Sequence, residues 1–225
     1  GMAMSSDGNV VWISNRNRNL IVAVNVSMTE QDLEGCSGGT CVCPGGGRAG
    51  VCDSPDPQLA LECCSWRTAV SSSALGFPAG LSTNGRLVAA GSGYASGRVT
   101  LLRVVPNTLE GSLTVAGTVV AGGGETPSTS DLSAYATAFA PIGDAVYASN
   151  EGRLDVIVPA FHVTTGLLVG SSSATVRGGL GTARAMCTSP TGERLAIVEG
   201  AGVRVYGADE CNPRYGCAPS AAGAP

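Results

Sequence analysis

Lysine is absent from this sequence: all 13 basic residues among its 225 are arginine. Schiff-base and other lysine chemistry is therefore excluded within the chain. The glycine runs Gly45–Gly47 and Gly122–Gly124 are not phosphate cradles, since no Gly-Lys-Ser/Thr and no helical pattern follows them. Ser71–Ser73 and Ser171–Ser173 are not nucleophile elbows, since no Gly-x-Ser-x-Gly stands in a strand-to-helix setting. Histidine occurs once, at His162, and aromatics make up only 4% of the chain. A net charge of −4 lacks the electrostatic footprint of a nucleic-acid binder. No run of about 18 apolar residues exists, so no membrane span is expected. No charged segment leading into an apolar stretch opens the chain, which starts at or near a strand, as a piece of a longer precursor would.

What is abundant is turn chemistry and small aliphatic side chains: 33 glycines, 12 prolines and 44% hydrophobic residues. Met2 to Ser27 shows how they are arranged. A small-residue strand, Met2–Ser5, meets the turn Ser6-Asp7-Gly8. An apolar strand, Asn9–Ser14, and a polar break, Asn15–Asn19, lead to a third strand, Leu20–Val26. Asp-Gly between apolar runs predicts a hairpin, because the turn needs positive φ and glycine takes it without steric cost. The unit returns at Ala79–Val105 (turn Asn84-Gly85), Tyr135–Pro159 (turn Gly143-Asp144) and Ala183–Gly207 (turn Thr191-Gly192). Gly111–Gly122 and Thr165–Gly178 follow the second and third copies as fourth, outer strands. The turns are 77, 59 and 48 residues apart, and removing Gly35–Cys64 reduces the first spacing to about 47. Four strands per roughly 45–60 residues is the period of a propeller blade.

Ser6-Asp7-Gly8-Asn9-Val10-Val11-Trp12-Ile13-Ser14-Asn15 resembles the blade pattern of YVTN-type and related lactonase-like propellers, and Ser189 to Val198 (SPTGERLAIV) matches it best. The similarity covers most of residues 2–27, 66–122 and 135–207. It implies an all-β, β-propeller-like fold of about four four-stranded blades, as part of a larger ring. The lactonase branch of that family would carry acidic and histidine positions in a central pocket. No residues here are matched to those positions, so the resemblance brings no activity with it.

Residues 1–33 are expected to form a first blade, 34–64 a disulfide-rich insertion, 65–210 further blades, and 211–225 a disulfide loop with an Ala/Pro/Ser-rich tail. Six of the nine cysteines (Cys36, Cys41, Cys43, Cys52, Cys63 and Cys64) lie in the insertion, and Cys211 and Cys217 bracket a short loop. Clustered cysteines among glycines and prolines, without nearby histidine, favour disulfides over metal, with the connectivity open. Cys187, in an apolar strand, is expected to be an unpaired buried thiol. Asn25-Val26-Ser27 is a glycosylation acceptor. Disulfides and a sequon place the chain outside the cell or on its surface.

Asp7 and Asp144 are expected as turn residues, and Asp155 invites the same question of carboxylate or calcium chemistry. Asp53-Ser54-Pro55-Asp56 lacks the ligand count of a calcium loop. His162 is a general-base candidate with no partner identifiable in the sequence; a loop or strand-edge role is the plainer expectation. Trp12, Trp66, Tyr94 and Tyr147 are expected between blades, Trp66 also capping the cysteine cluster. The expectation is a noncatalytic extracellular structural or interaction module with no catalytic residues, no metal and no cofactor. Its partners would be other protein chains, the remainder of a precursor, or glycans, with neither nucleic acid nor membrane. A lactonase- or hydrolase-like propeller enzyme and an intracellular scaffold are the alternatives. Intact mass after alkylation under denaturing conditions tests the cysteine assignment: eight of the nine thiols should stay unlabelled until reduction, and nine labelled without reduction would overturn it.

Overall fold

The computed structural model describes residues 1–29, 34–37, 40–42, 51–52, 64–92, 97–106, 111–120, 136–140, 144–150, 153–178, 183–189, 191, 193–199 and 202–207. Apart from a helical pair at Cys64–Ser65 and the single 3-10 turn Ser73–Leu75, the regular structure there is β. Among the described residues no helix is long and apolar enough to cross a membrane.

Four antiparallel sheets follow one another. The first joins β1 (Met2–Met4), β2 (Val10–Asn15), β3 (Leu20–Asn25) and β7 (Trp66–Ser71) in that order. Between β3 and β7 the insertion forms its own small sheet of β4 (Glu34–Ser37), β5 (Thr40–Val42) and β6 (Val51–Cys52). The second blade is β8 (Pro78–Thr83), β9 (Leu87–Ser92), β10 (Arg98–Val104) and β11 (Leu113–Val120). The third is β12 (Thr137–Phe139), β13 (Val146–Asn150), β14 (Arg153–Phe161) and β15 (Leu168–Gly178). The fourth sheet has three strands, β16 (Ala183–Thr188), β17 (Arg194–Glu199) and β18 (Gly202–Gly207). The innermost strands pack on one another in sequence, β1 on β8, β8 on β12 and β12 on β16. This is the blade order of a propeller.

The period of two along each strand sends alternate side chains to the two neighbouring blades. In β9, Val88 and Ala90 enter the core shared with the first blade, beside Trp12, Ile21 and Leu102. Leu87 and Ala89 enter the core shared with the third, beside Phe139, Val146 and Ile157. Tyr147, Leu154 and Val156 meet Leu195, Ile197 and Tyr206 between the third and fourth. The middle strands are therefore apolar on both faces, and β9 is buried from end to end.

Turns behave as the residue types require. Gly8 and Gly85 hold φ of 76° and 86°. Asp7 accepts from the Ser5 hydroxyl, from the Asn9 backbone N–H and from the Asn9 amide, and these hydrogen bonds, that from Ser5 first, hold its carboxyl below the usual range. Across the first interface the Trp12 indole N–H donates to the Gly111 carbonyl at 2.7 Å. Gly111 has φ of 62°, and a Cβ there would stand 2.4 Å from Val10 Cγ1. Gly111→Ala should therefore cost at least about 2 kcal/mol, from the left-handed backbone plus overpacking. Trp12→Phe should cost about 1–3 kcal/mol by leaving a buried carbonyl without its donor. Urea unfolding of both variants checks this, and wild-type midpoints would contradict it.

Candidate functional site

The second and third blades part at one end of their strands, where the β8–β9 turn, the end of β10, and the β14–β15 turn converge. They enclose a cleft of about 780 Å³. Its polar side chains are set by turn chemistry and by bonds across the interface. The Asn84 side-chain oxygen accepts from the backbone N–H groups of Arg86 and Leu87, which fixes the hairpin. Its amide nitrogen donates 3.1 Å across the blade interface to Asp144 Oδ1. Arg86 Nη2 makes an ion pair with Asp144 Oδ2. Asp144, expected only as a turn residue, thus bridges two blades.

On β10, beside Leu87, Arg103 Nη1 donates across the interface to the Thr165 carbonyl at 2.7 Å. Gly166, at φ 63°, makes this possible, since a Cβ there would lie 2.6 Å from the same nitrogen. The turn closes with backbone bonds from Gly166 N–H to the His162 carbonyl and from His162 N–H to the Leu167 carbonyl. His162 Nδ1 accepts the Thr165 N–H at 3.3 Å. In the neutral ring that bond places the proton on Nε2 and leaves Nε2–H for a ligand. Leu87, Val104, Pro159 and Phe161 supply an apolar wall. Two guanidiniums face one carboxylate among the described lining residues, so the cleft favours an anion. Sequence spacing could not join Arg103 to the His162 turn, or Asn84 to Asp144, because these contacts cross a blade interface some 60 residues apart in the chain.

The other candidates lie elsewhere. Of the eight cysteines assigned to disulfides, Cys64 is described with its side chain: it is 1% exposed and disulfide-bonded. The side chains of Cys36, Cys41, Cys43, Cys52, Cys63, Cys211 and Cys217 lie outside the described residues, as do Asp53, Asp56 and Tyr94. Cys187 is free, but exposed and not buried, because it points away from the third blade. Asn25 ends β3, its side-chain oxygen accepting from the Ser27 N–H and hydroxyl. Trp12 and Tyr147 are buried between blades as expected, whereas Trp66 is 53% exposed. Among the described residues no three His, Cys, Asp or Glu side chains gather as a metal site.

Asp155 is fully buried on β14, accepting from Thr175 Oγ1 at 2.7 Å while its Oδ2 has no hydrogen-bond partner. Burial pushes its carboxyl up, against the Thr175 bond and the Arg153 charge, which pull it down.

No protein-family model matches the sequence, and no curated protein matches it. Solved structures do share its fold. A periplasmic gluconolactonase of Pseudomonas aeruginosa is 16% identical with a TM-score of 0.55, over 92% of this chain and 48% of that one. A Bacteroides uniformis protein assigned as a 6-phosphogluconolactonase is 18% identical (TM-score 0.52; 92% and 49% covered). A Bacteroides fragilis protein with the same assignment is 14% identical (TM-score 0.50; 92% and 49%). The fold is therefore propeller-like, and the chain spans about half the length of these proteins. The comparison corrects two expectations. The fold neighbours are lactonases by assignment, and against them the readings as a noncatalytic extracellular module and as a non-enzyme do not stand.

The raised Asp155 carboxyl carries a pH signature. The folded state holds this proton to a higher pH than the unfolded chain does, so stability falls as pH rises from the ordinary carboxylate range through the folded value, then levels. Asp155→Asn removes that dependence. Urea unfolding across the window should show the variant gaining on wild type by on the order of 1 kcal/mol; parallel profiles would contradict it.

Proposed function

We propose that this chain is a hydrolase of the lactonase class, adding water to a cyclic ester that carries an anionic group. One observation carries the reading: the cleft brings Arg86, Arg103, Asp144 and His162 against an apolar wall. The shared fold supports it. The apolar residues receive the ring of the substrate, and the guanidiniums hold its anionic substituent. His162 Nε2–H donates to the acyl oxygen as negative charge develops there. Asp144 accepts a proton from the attacking water. The tetrahedral intermediate then re-forms its carbonyl, the ring C–O bond breaks, and the departing oxygen takes up the proton, giving a hydroxy acid. The step consumes water and needs no oxidant or reductant.

An oxidising compartment and a disulfide-stapled insertion belong to the same proposal. They are supported by the cysteine clustering and by the bonded Cys64, and they suit an exported enzyme. Protein and glycan partners stay proposals of the same kind.

Release of acid from a panel of sugar-acid lactones, followed by pH-stat, tests the activity. Wild type should hydrolyse an anionic lactone above the spontaneous rate. His162→Gln should lower kcat by about 100-fold, the scale for losing one oxyanion donor. Arg103→Met should mainly raise KM. Hydrolysis at the spontaneous rate, or variants equal to wild type, would overturn the proposal.

A further inference from the structure

Asp144 belongs to the third blade, but the groups that hold its carboxylate come from the second. Asn84 lies in the β8–β9 turn, and its side-chain oxygen accepts from the Arg86 N–H at 3.2 Å and from the Leu87 N–H at 2.9 Å. Those bonds fix which way the amide faces, because a backbone N–H can be met only by the oxygen. The nitrogen is thereby turned across the interface, where it donates to Asp144 Oδ1 at 3.1 Å. Arg86, from the same turn, pairs with Asp144 Oδ2. Each carboxylate oxygen is thus held by the neighbouring blade. Asp7, in the corresponding turn of the first blade, shows the other arrangement: it takes its hydrogen bonds from Ser5 and Asn9 within its own turn.

We infer that Asn84 is a positioning residue of the cleft: with Arg86 it holds the Asp144 carboxylate in one orientation toward the water that Asp144 activates. This rests on the hydrolase reading above. The hairpin itself does not need the amide nitrogen. Thr83 Oγ1 accepts the Gly85 N–H at 3.0 Å and donates to the Leu87 carbonyl at 2.8 Å, and the Asn84 N–H donates to the same carbonyl at 3.2 Å. Asp or Ser at position 84 would still offer the turn an accepting oxygen, as both commonly do in such turns. Neither offers the donor: Asp has none, and Ser is too short to span the interface. Asn84 therefore acts through Asp144 and not on the substrate. Its loss bears on rate, because a displacement of about 1 Å in a reacting group costs on the order of 100-fold.

Two readouts test this, one of them independent of activity. The first is a urea-unfolding cycle of Asn84→Ser, Asp144→Ala and the double variant. The two losses should not add, because either substitution alone already breaks the bond across the interface. The second is the rate of lactone hydrolysis. Asn84→Ser should lower kcat by about 10- to 100-fold with KM little changed. Asn84→Asp, which keeps the turn but sets a second carboxylate against Asp144, should lower kcat further. Additive losses of stability would overturn the inference, and so would a wild-type kcat in Asn84→Ser. Losses that do not add, beside a wild type that hydrolyses no lactone, would sink the hydrolase reading and leave Asn84 as the residue that sets Asp144. Additive losses beside an active wild type would sink this inference alone.

Discussion

Each blade of this protein is a sheet too thin to make a core alone, so it depends on apolar contact with a blade on either side. That constraint explains the composition. Middle strands such as β9 carry apolar side chains on both faces, and the close stacking of blades favours alanine, valine and glycine over aromatics. Where a large side chain is used, as with Trp12, the opposing backbone has to be a glycine with its carbonyl turned toward the indole. Burial of such faces at about 25 cal/mol per Å² is what holds the array together. The Arg86–Asp144 pair sits at the open end of an interface, where the apolar packing stops.

The repeat was legible because hairpin turns are written locally. Asp7-Gly8 and Asn84-Gly85 need positive φ at glycine, and the flanking strands fall within one or two residues of their expected limits. The outer strand of the first blade was harder. Trp66–Ser71 pairs with β3 only after a long insertion, and no local signal ties it there. The site was less legible still. His162 could be named from the sequence, but its surroundings could not, because Arg103 reaches its turn, and Asn84 and Arg86 reach Asp144, only once the second and third blades stack. Cys187 was expected to be free and also buried; its strand is apolar enough for burial, but its face points out of the array.

The noncatalytic expectation rested on the want of a local motif, and propeller chemistry need not be local. In a hydrolase elbow the nucleophile and its neighbours lie within a few residues. Here the groups come from separate turns at one end of two sheets, each turn held by its own backbone bonds. Such a scaffold positions side chains by sheet stacking, so the signal lies in three-dimensional convergence and not in spacing.

The cleft and the far faces of the first and fourth blades answer to the same packing rule but do not depend on each other. Every described lining residue of the cleft belongs to the second or third blade or their turns, and both of those blades are covered on each side within one chain. The far faces of the first and fourth blades, where Met2, Met4, Val203 and Val205 are exposed, contribute none of the described lining residues, so substitutions there would leave the cleft intact.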